Sequence, residues 1–195
     1  MSFQLIAGHP ALDFVNTLDW RFADRGSQDL VASYDDLVRF TQQTKLLGSS
    51  PPSATRIAGA RVLKHCVELR EALAEIFYGR LYGRKPSLAT RDTLENYFKE
   101  ARLRQALNWK QSPRVEWEWP MEAVRAELPL WALALSASDL MTSEAVDRVR
   151  DCFNPECRWL FLDTSKNHSR RWCDMRICGN RMKARRFKAR GKETR

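Results

Sequence analysis

Apolar residues recur at two different periods along this 195-residue chain, and each change of period marks an element. Ser33, with Asp36 three residues on, reads as a helix N-cap, and Leu37, Phe40, Thr41, Leu46 and Leu47 supply the apolar stripe that follows it up to Gly48. Ser49-Ser50-Pro51-Pro52 is a linker. Ser53 then opens a longer helix on which Ile57, Val62, Cys66, Leu69, Leu73, Ile76 and Phe77 recur mostly every three or four residues. Gly83 and Pro86 close it, and a further helix runs from about Ser87 or Thr90 to Arg104 with Leu94, Tyr97, Phe98, Ala101 and Leu103 on it. The period then shortens. Leu107 and Trp109 alternate with polar residues, Gln111-Ser112-Pro113 makes a turn, and Val115, Trp117 and Trp119 alternate with Glu116 and Glu118, the pattern of a β-hairpin with aromatics on one face. Residues 121–140 are helical and strongly apolar around Leu128, Leu130, Trp131, Leu133, Ala134 and Leu135, which predicts the most buried helix of the fold. Thr142 or Ser143 caps a short helix that leads Val149 and Arg150 directly into Cys152. With no flexible linker there, whatever follows is expected to dock against the helical body.

The start of the chain is less decisive. Residues 3–6 read as a short strand, and Gly8-His9-Pro10 punctuates the chain before an apolar run. That run fits a helix through Leu12 and Val15, or a strand through Leu12, Phe14 and Asn16. His9, Asp13 and Asn16 are polar groups among apolar ones. They are candidates for a small-molecule pocket in the N-terminal region, or for capping a helix end and satisfying core hydrogen bonds.

The chemistry lies in the last fifth of the chain. Cys152, Cys157, Cys173 and Cys178 form two pairs, each with four residues inside it and fifteen residues between the pairs. Two short chelating loops joined by a longer segment can bring four thiolates into a tetrahedron around zinc, and four sulfurs leave no open position for water or substrate. The expected cofactor is therefore a structural Zn2+. Iron would also accept four sulfurs. The fifth cysteine, Cys66, falls on the apolar face of its helix and reads as a small core hydrophobe.

Clustered cysteines without a secretory opening, and no apolar run of about 18 residues, fit a reducing cytoplasm and no membrane span. The net charge of +9 is concentrated: residues 166–195 hold 12 Lys and Arg against Asp174 and Glu193, leaving the remaining residues near −1. Such a segment is either a polyanion-binding surface or a solvated tail. The candidate nucleic-acid contacts are Arg170, Arg171, Arg176, Arg181, Lys183, Arg185, Arg186, Lys188 and Arg190.

Cys178-Gly179-Asn180-Arg181, together with Trp159-Leu160-Phe161-Leu162-Asp163, Ser169-Arg170-Arg171-Trp172-Cys173 and Met182-Lys183-Ala184-Arg185, resembles the CGNR zinc-finger family over about residues 150 to 190. Gly8-His9-Pro10-Ala11-Leu12-Asp13-Phe14-Val15-Asn16-Thr17 and Asp19-Trp20-Arg21 resemble the ABATE domain that usually precedes that finger. The resemblance implies an α+β fold: a mainly helical ABATE-like domain with a small β-hairpin over 1–140, a connecting helix over 141–151, and a treble-clef zinc module over 152–195 ending in a basic helix. It also implies a bacterial transcription regulator, labelled stress-induced. Arg158 departs from common zinc knuckles, where glycine often follows the second cysteine.

The expected function is thus nucleic-acid binding, DNA in preference to RNA, with the N-terminal domain sensing a ligand or partner. An adaptor without nucleic-acid affinity is the alternative from a different class. No phosphate-cradling glycine motif, serine elbow or two-histidine zinc helix appears, so the chain is not read as an enzyme. A homodimer is expected from the limited specificity of one short helix, through the hairpin tryptophans or the apolar helix near Leu128.

Overall fold

The computed structural model describes residues 2–48, 54–109, 115–120 and 125–193. The expected linker at 49–52, the Ser53 cap and the hairpin turn at 111–113 lie outside these residues.

The chain forms six α-helices and three two-stranded antiparallel sheets among the described residues. Helix α1 (Pro10–Val15) settles the ambiguous apolar run as helix, since Pro10 occupies the first turn, where no backbone donor is needed. Short strands β1 (Leu18–Asp19) and β2 (Gln28–Asp29) pair next. Helix α2 (Tyr34–Gln43) is capped by Ser33, whose side chain accepts from the Asp36 N–H as the sequence predicts. Helix α3 (Arg56–Leu81) begins at Thr55 and α4 (Leu88–Leu103) at Ser87, each capped by its hydroxyl. Strands β3 (Ala106–Asn108) and β4 (Glu116–Glu118) form the expected hairpin, with Leu107 opposite Trp117. Helix α5 (Leu128–Met141) is the buried centre, packed against α1, α2, α3 and α4.

Residues 3–6 form no strand. The short helix expected after Ser143 is present as a 3-10 helix (Glu144–Arg148) that gives way to strand β5 (Val149–Asp151) before Cys152. Strand β5 pairs with β6 (Leu160–Leu162), so the first two cysteines sit in the loop of that hairpin. Nothing in the sequence marks β5 as the partner of β6, because three residues before a cysteine carry no strand periodicity of their own.

His9, Asp13 and Asn16 each bond backbone groups and do not share one cavity: His9 borders a cavity of about 430 Å³, while Asp13 and Asn16 border a separate void of about 10 Å³. His9 caps α1, its Nδ1 accepting from the Ala11 N–H at 3.2 Å. Acceptance requires the neutral ring, which burial favours by lowering the His9 pKa against the opposing pull of Asp139. Asn16 bridges to β6 in both directions, donating to the Leu160 carbonyl at 2.9 Å and accepting its N–H at 2.8 Å. Asp13 accepts from the Ala7 N–H at 3.0 Å, and Ala7 in turn accepts from the Leu162 N–H at 2.7 Å. His9 serves the start of α1, and Asp13 and Asn16 serve backbone groups where the body meets the C-terminal module.

Burial pushes Asp13 up to about 6, against the pull of the Ala7 and Ile6 N–H groups. A raised carboxyl pKa favours the folded state fully below about pH 4 and loses that advantage as pH rises through about 6, a span worth about 3 kcal/mol. Urea denaturation of wild type and Asp13→Asn should therefore show wild type gaining about 2 kcal/mol on the variant between about pH 7.5 and 4.5. A difference that does not change with pH would contradict this ionisation.

Of the two surfaces expected for a dimer, α5 is interior. Trp117 and Trp109 on the hairpin are exposed at 55% and 73%.

Candidate metal centre and basic helix

The four cysteine side chains converge. Their Sγ atoms all lie within 4.8 Å of one another, with Cys157–Cys173 and Cys173–Cys178 at 3.6 Å. A tetrahedron with Zn–S bonds of about 2.3 Å has edges of about 3.8 Å, so donor set and spacing both fit zinc. All four thiols are buried. Crowding divides their ionisation: hydrogen bonding, first with Cys152, pushes Cys157 and Cys173 above the ordinary thiol range, while Cys152 and Cys178 are held below it by bonds from their neighbours. Only a cation can hold four thiolates this close, and when bound it cross-links the two cysteine loops.

The first loop turns on Asn154, which is fully buried and is not among the residues expected from the sequence. Its carbonyl accepts from the Cys157 and Arg158 N–H groups at 3.0 Å each, and its Nδ2 lies 3.6 Å from Cys178 Sγ, a donor to the metal-facing sulfur. The Asn-Pro pair inside the first cysteine loop was the available signal. Arg158 has φ +54, the left-handed region that favours glycine. The body holds it there. Tyr78 donates to its carbonyl at 2.8 Å, and its Nε lies 3.2 Å from Asp151 Oδ2, with the guanidinium over the Tyr82 ring.

The second pair begins at a helix start. Asp174 caps a π-helical turn (Met175–Gly179), its carboxylate accepting from the Arg176 and Ile177 N–H groups, and α6 (Asn180–Glu193) continues from it. A Cβ at Gly179 would lie 2.4 Å from Met175 Sδ, so the missing side chain is what lets Met175 fold over this turn. Asn180 donates to the Arg176 carbonyl at 3.3 Å, an intrahelical bond that occupies its amide.

The module is docked, as the missing linker predicted. Besides the Asn16 and Ala7 bonds, Trp159 Nε1 donates to Asp19 at 2.9 Å, and the apolar core runs unbroken from α5 to Phe161 and the cysteines.

The candidate cations divide by direction. Arg170 points inward: its guanidinium donates to the carbonyls of Trp172, Leu162, Ile6 and Cys173 and stacks on Phe161 at 4.3 Å. That ties module to body and leaves it no role at a phosphate. Arg181 is half-buried, its guanidinium 4.8 Å from the Trp20 ring. Arg171 lies exposed on Phe153, Arg176 and Lys183 are exposed, and Arg185 reaches Glu156 at 2.6 Å in an ion pair open to solvent. Arg186, Lys188 and Arg190 follow on α6, where only the backbone is described.

These features define a class: a helical body with a four-cysteine, metal-binding module folded onto it. The chain belongs to the ABATE family, described as "Putative stress-induced transcription regulator", which matches residues 8–144; the CGNR zinc finger matches residues 148–191. No protein of curated function matches the chain. Among the described residues, no helix is long and apolar enough to cross a membrane.

Proposed function

We propose that this protein is a DNA-binding transcription regulator in which zinc fixes the start of α6 and the helix lays its cations against phosphates. The observation that carries this reading is the division of charge on the module: the inward cations are spent on the body, while Arg171, Arg176, Lys183 and Arg185 face solvent on a metal-pinned frame. A helix fits the major groove of B-DNA, and arginine can pair bidentately with guanine. The description of the ABATE family supports a regulatory role, and the CGNR match supports the metal-binding module. The N-terminal domain then serves as the sensing part, coupled to the finger through the bonds at Asn16, Ala7 and Arg170.

With four exposed cations described and more along α6, about six phosphate contacts should give a slope of log affinity against log salt near −5. Binding of random duplex DNA across a salt series measures it, and a slope near zero contradicts the electrostatic footprint. Phe187, 81% exposed on α6, is a possible base-stacking residue for RNA. One stacker without a ladder favours duplex DNA, and competition between duplex DNA and structured RNA separates the two polymers.

A further inference from the structure

Between the start of α6 and the body lies a cavity of about 340 Å³, within the size range of small-molecule sites. The body contributes Phe3, Trp20 and Arg39 to its walls, and the metal-binding module contributes Trp159, Ile177 and Arg181, with Cys157, Cys173 and Cys178 of the metal centre forming one wall.

The hydrogen-bonding capacity of these walls is lopsided. Both carboxylates are occupied. Asp19 Oδ1 accepts from the Trp20 N–H at 2.8 Å and from Trp159 Nε1 at 2.9 Å. Asp36 accepts from the Ser33 hydroxyl at 2.7 Å and from Arg39. The guanidiniums are not saturated. Among the described residues Arg181 has no hydrogen-bond acceptor and only rests against the Trp20 ring, and Arg39 uses a single nitrogen on Asp36. What the cavity leaves on offer is therefore cationic donors set among aromatic faces.

A second observation lies in the backbone. Trp20 has φ +54, an uncommon conformation for a bulky residue and one held at some energetic cost. Its N–H is held by Asp19, and its ring by Arg25 at 4.0 Å and Arg181 at 4.8 Å. The strained residue is the one whose ring meets Arg181, at the start of the finger helix, in the cavity wall.

We propose that this cavity binds a small aromatic carboxylate, its ring held among Trp20, Trp159 and Phe3 and its carboxylate taken by Arg39 and Arg181. Charge favours the carboxylate at the guanidiniums, away from the thiolate wall. A ligand so placed spans body and finger and immobilises Arg181 on the first turn of α6. Any change it makes to DNA affinity is matched by an equal change that DNA makes to its own affinity. The inference deepens the sensing half of the proposed function and rests on that reading for its role; the binding is measured without nucleic acid, so either can fail alone.

The test is calorimetric titration of the zinc-loaded full chain with naphthalene-2-carboxylate, its neutral amide, and naphthalen-2-ylmethylammonium. Saturable 1:1 binding of the carboxylate is expected, at least about tenfold tighter than either analogue. Arg39→Gln and Arg181→Gln should each weaken it about tenfold or more, with zinc content and circular dichroism unchanged, while Arg61→Gln, outside the cavity, should leave it as it is. Arg39 lies outside the proposed DNA footprint, so its variant should lose the ligand and keep the DNA. No binding of the carboxylate by about 5 mM, equal or tighter binding of the amide or ammonium, or indifference to both arginine variants overturns the proposal.

Discussion

Removing zinc from the intact protein is expected to unfold the C-terminal module and to destabilise the body with it. The reason lies in where β6 is bound. Leu160 is held by Asn16, Leu162 by Ala7, and Arg170 carries four carbonyls of which one, Ile6, belongs to the body. Structural zinc binding is worth about 10–16 kcal/mol in isolated finger peptides, and here the metal is what joins the two cysteine loops through four buried sulfurs. If only about 5 kcal/mol of this is coupled to the body, the melting temperature falls by about 10–20 °C. Chelation with metal analysis, alongside Cys178→Ser, measures the effect. Cys66→Ala supplies the comparison: that thiol is buried in the body and burial pushes its pKa up, so its loss should cost only the packing of a small side chain and leave zinc content unchanged. A zinc-free protein with an unaltered melting curve would show that the metal does not hold this structure.

Arg70→Ala is expected to be the most damaging single change in the body. Arg70 is 2% exposed on the inner face of α3 and makes a two-pronged pair with Asp29, Nη1 and Nη2 each 2.7 Å from a carboxylate oxygen. Its Nη1 also reaches Thr17 Oγ1 and its Nε reaches Glu71, both at 3.1 Å. Desolvation raises the Asp29 pKa, but the bond and charge of Arg70 more than reverse this and hold it below the usual range. Removing the guanidinium breaks the paired hydrogen bonds to a carboxylate that is itself open to solvent and empties the buried place of the stem, at a cost of about 1.5–3 kcal/mol. The same pair fixes β2 against α3, and β2 pairs with the strand carrying Asp19, next to Trp20 in the cavity wall. Denaturant unfolding should show the loss, with Arg70→Met falling between alanine and wild type because it keeps the stem. A loss below about 1 kcal/mol would mean that the pair contributes little net energy.

Much of this fold was legible because local rules were obeyed. Ser33 and Ser87 cap where their hydroxyls stand three residues before a free N–H, and α5 is buried because Leu128 to Leu135 leaves no polar face. The cysteine spacing announced the metal site, and the absence of a linker announced docking. The rest depended on partners far along the chain. Arg70 and Asp29 are 41 residues apart, and Asn16 and Leu160 are 144 apart; a single sequence marks neither pairing. His9, Asp13 and Asn16 stood out correctly as polar groups in an apolar run, yet their role followed from backbone neighbours that no periodicity reveals. Arg170 was one basic residue among many until its four carbonyl acceptors set it apart from Arg171 beside it.

The zinc-pinned helix is the element expected to meet nucleic acid. The direct measurement is duplex-DNA binding by zinc-loaded wild type and by Lys183→Ala/Arg185→Ala/Lys188→Ala, at equal zinc content and equal melting temperature. Salt-sensitive binding by wild type, weakened at least about tenfold and with a shallower salt slope in the variant, is the predicted result. Equal binding by the two proteins, or none by either, would contradict it and leave the module a docked, metal-stabilised part of an adaptor.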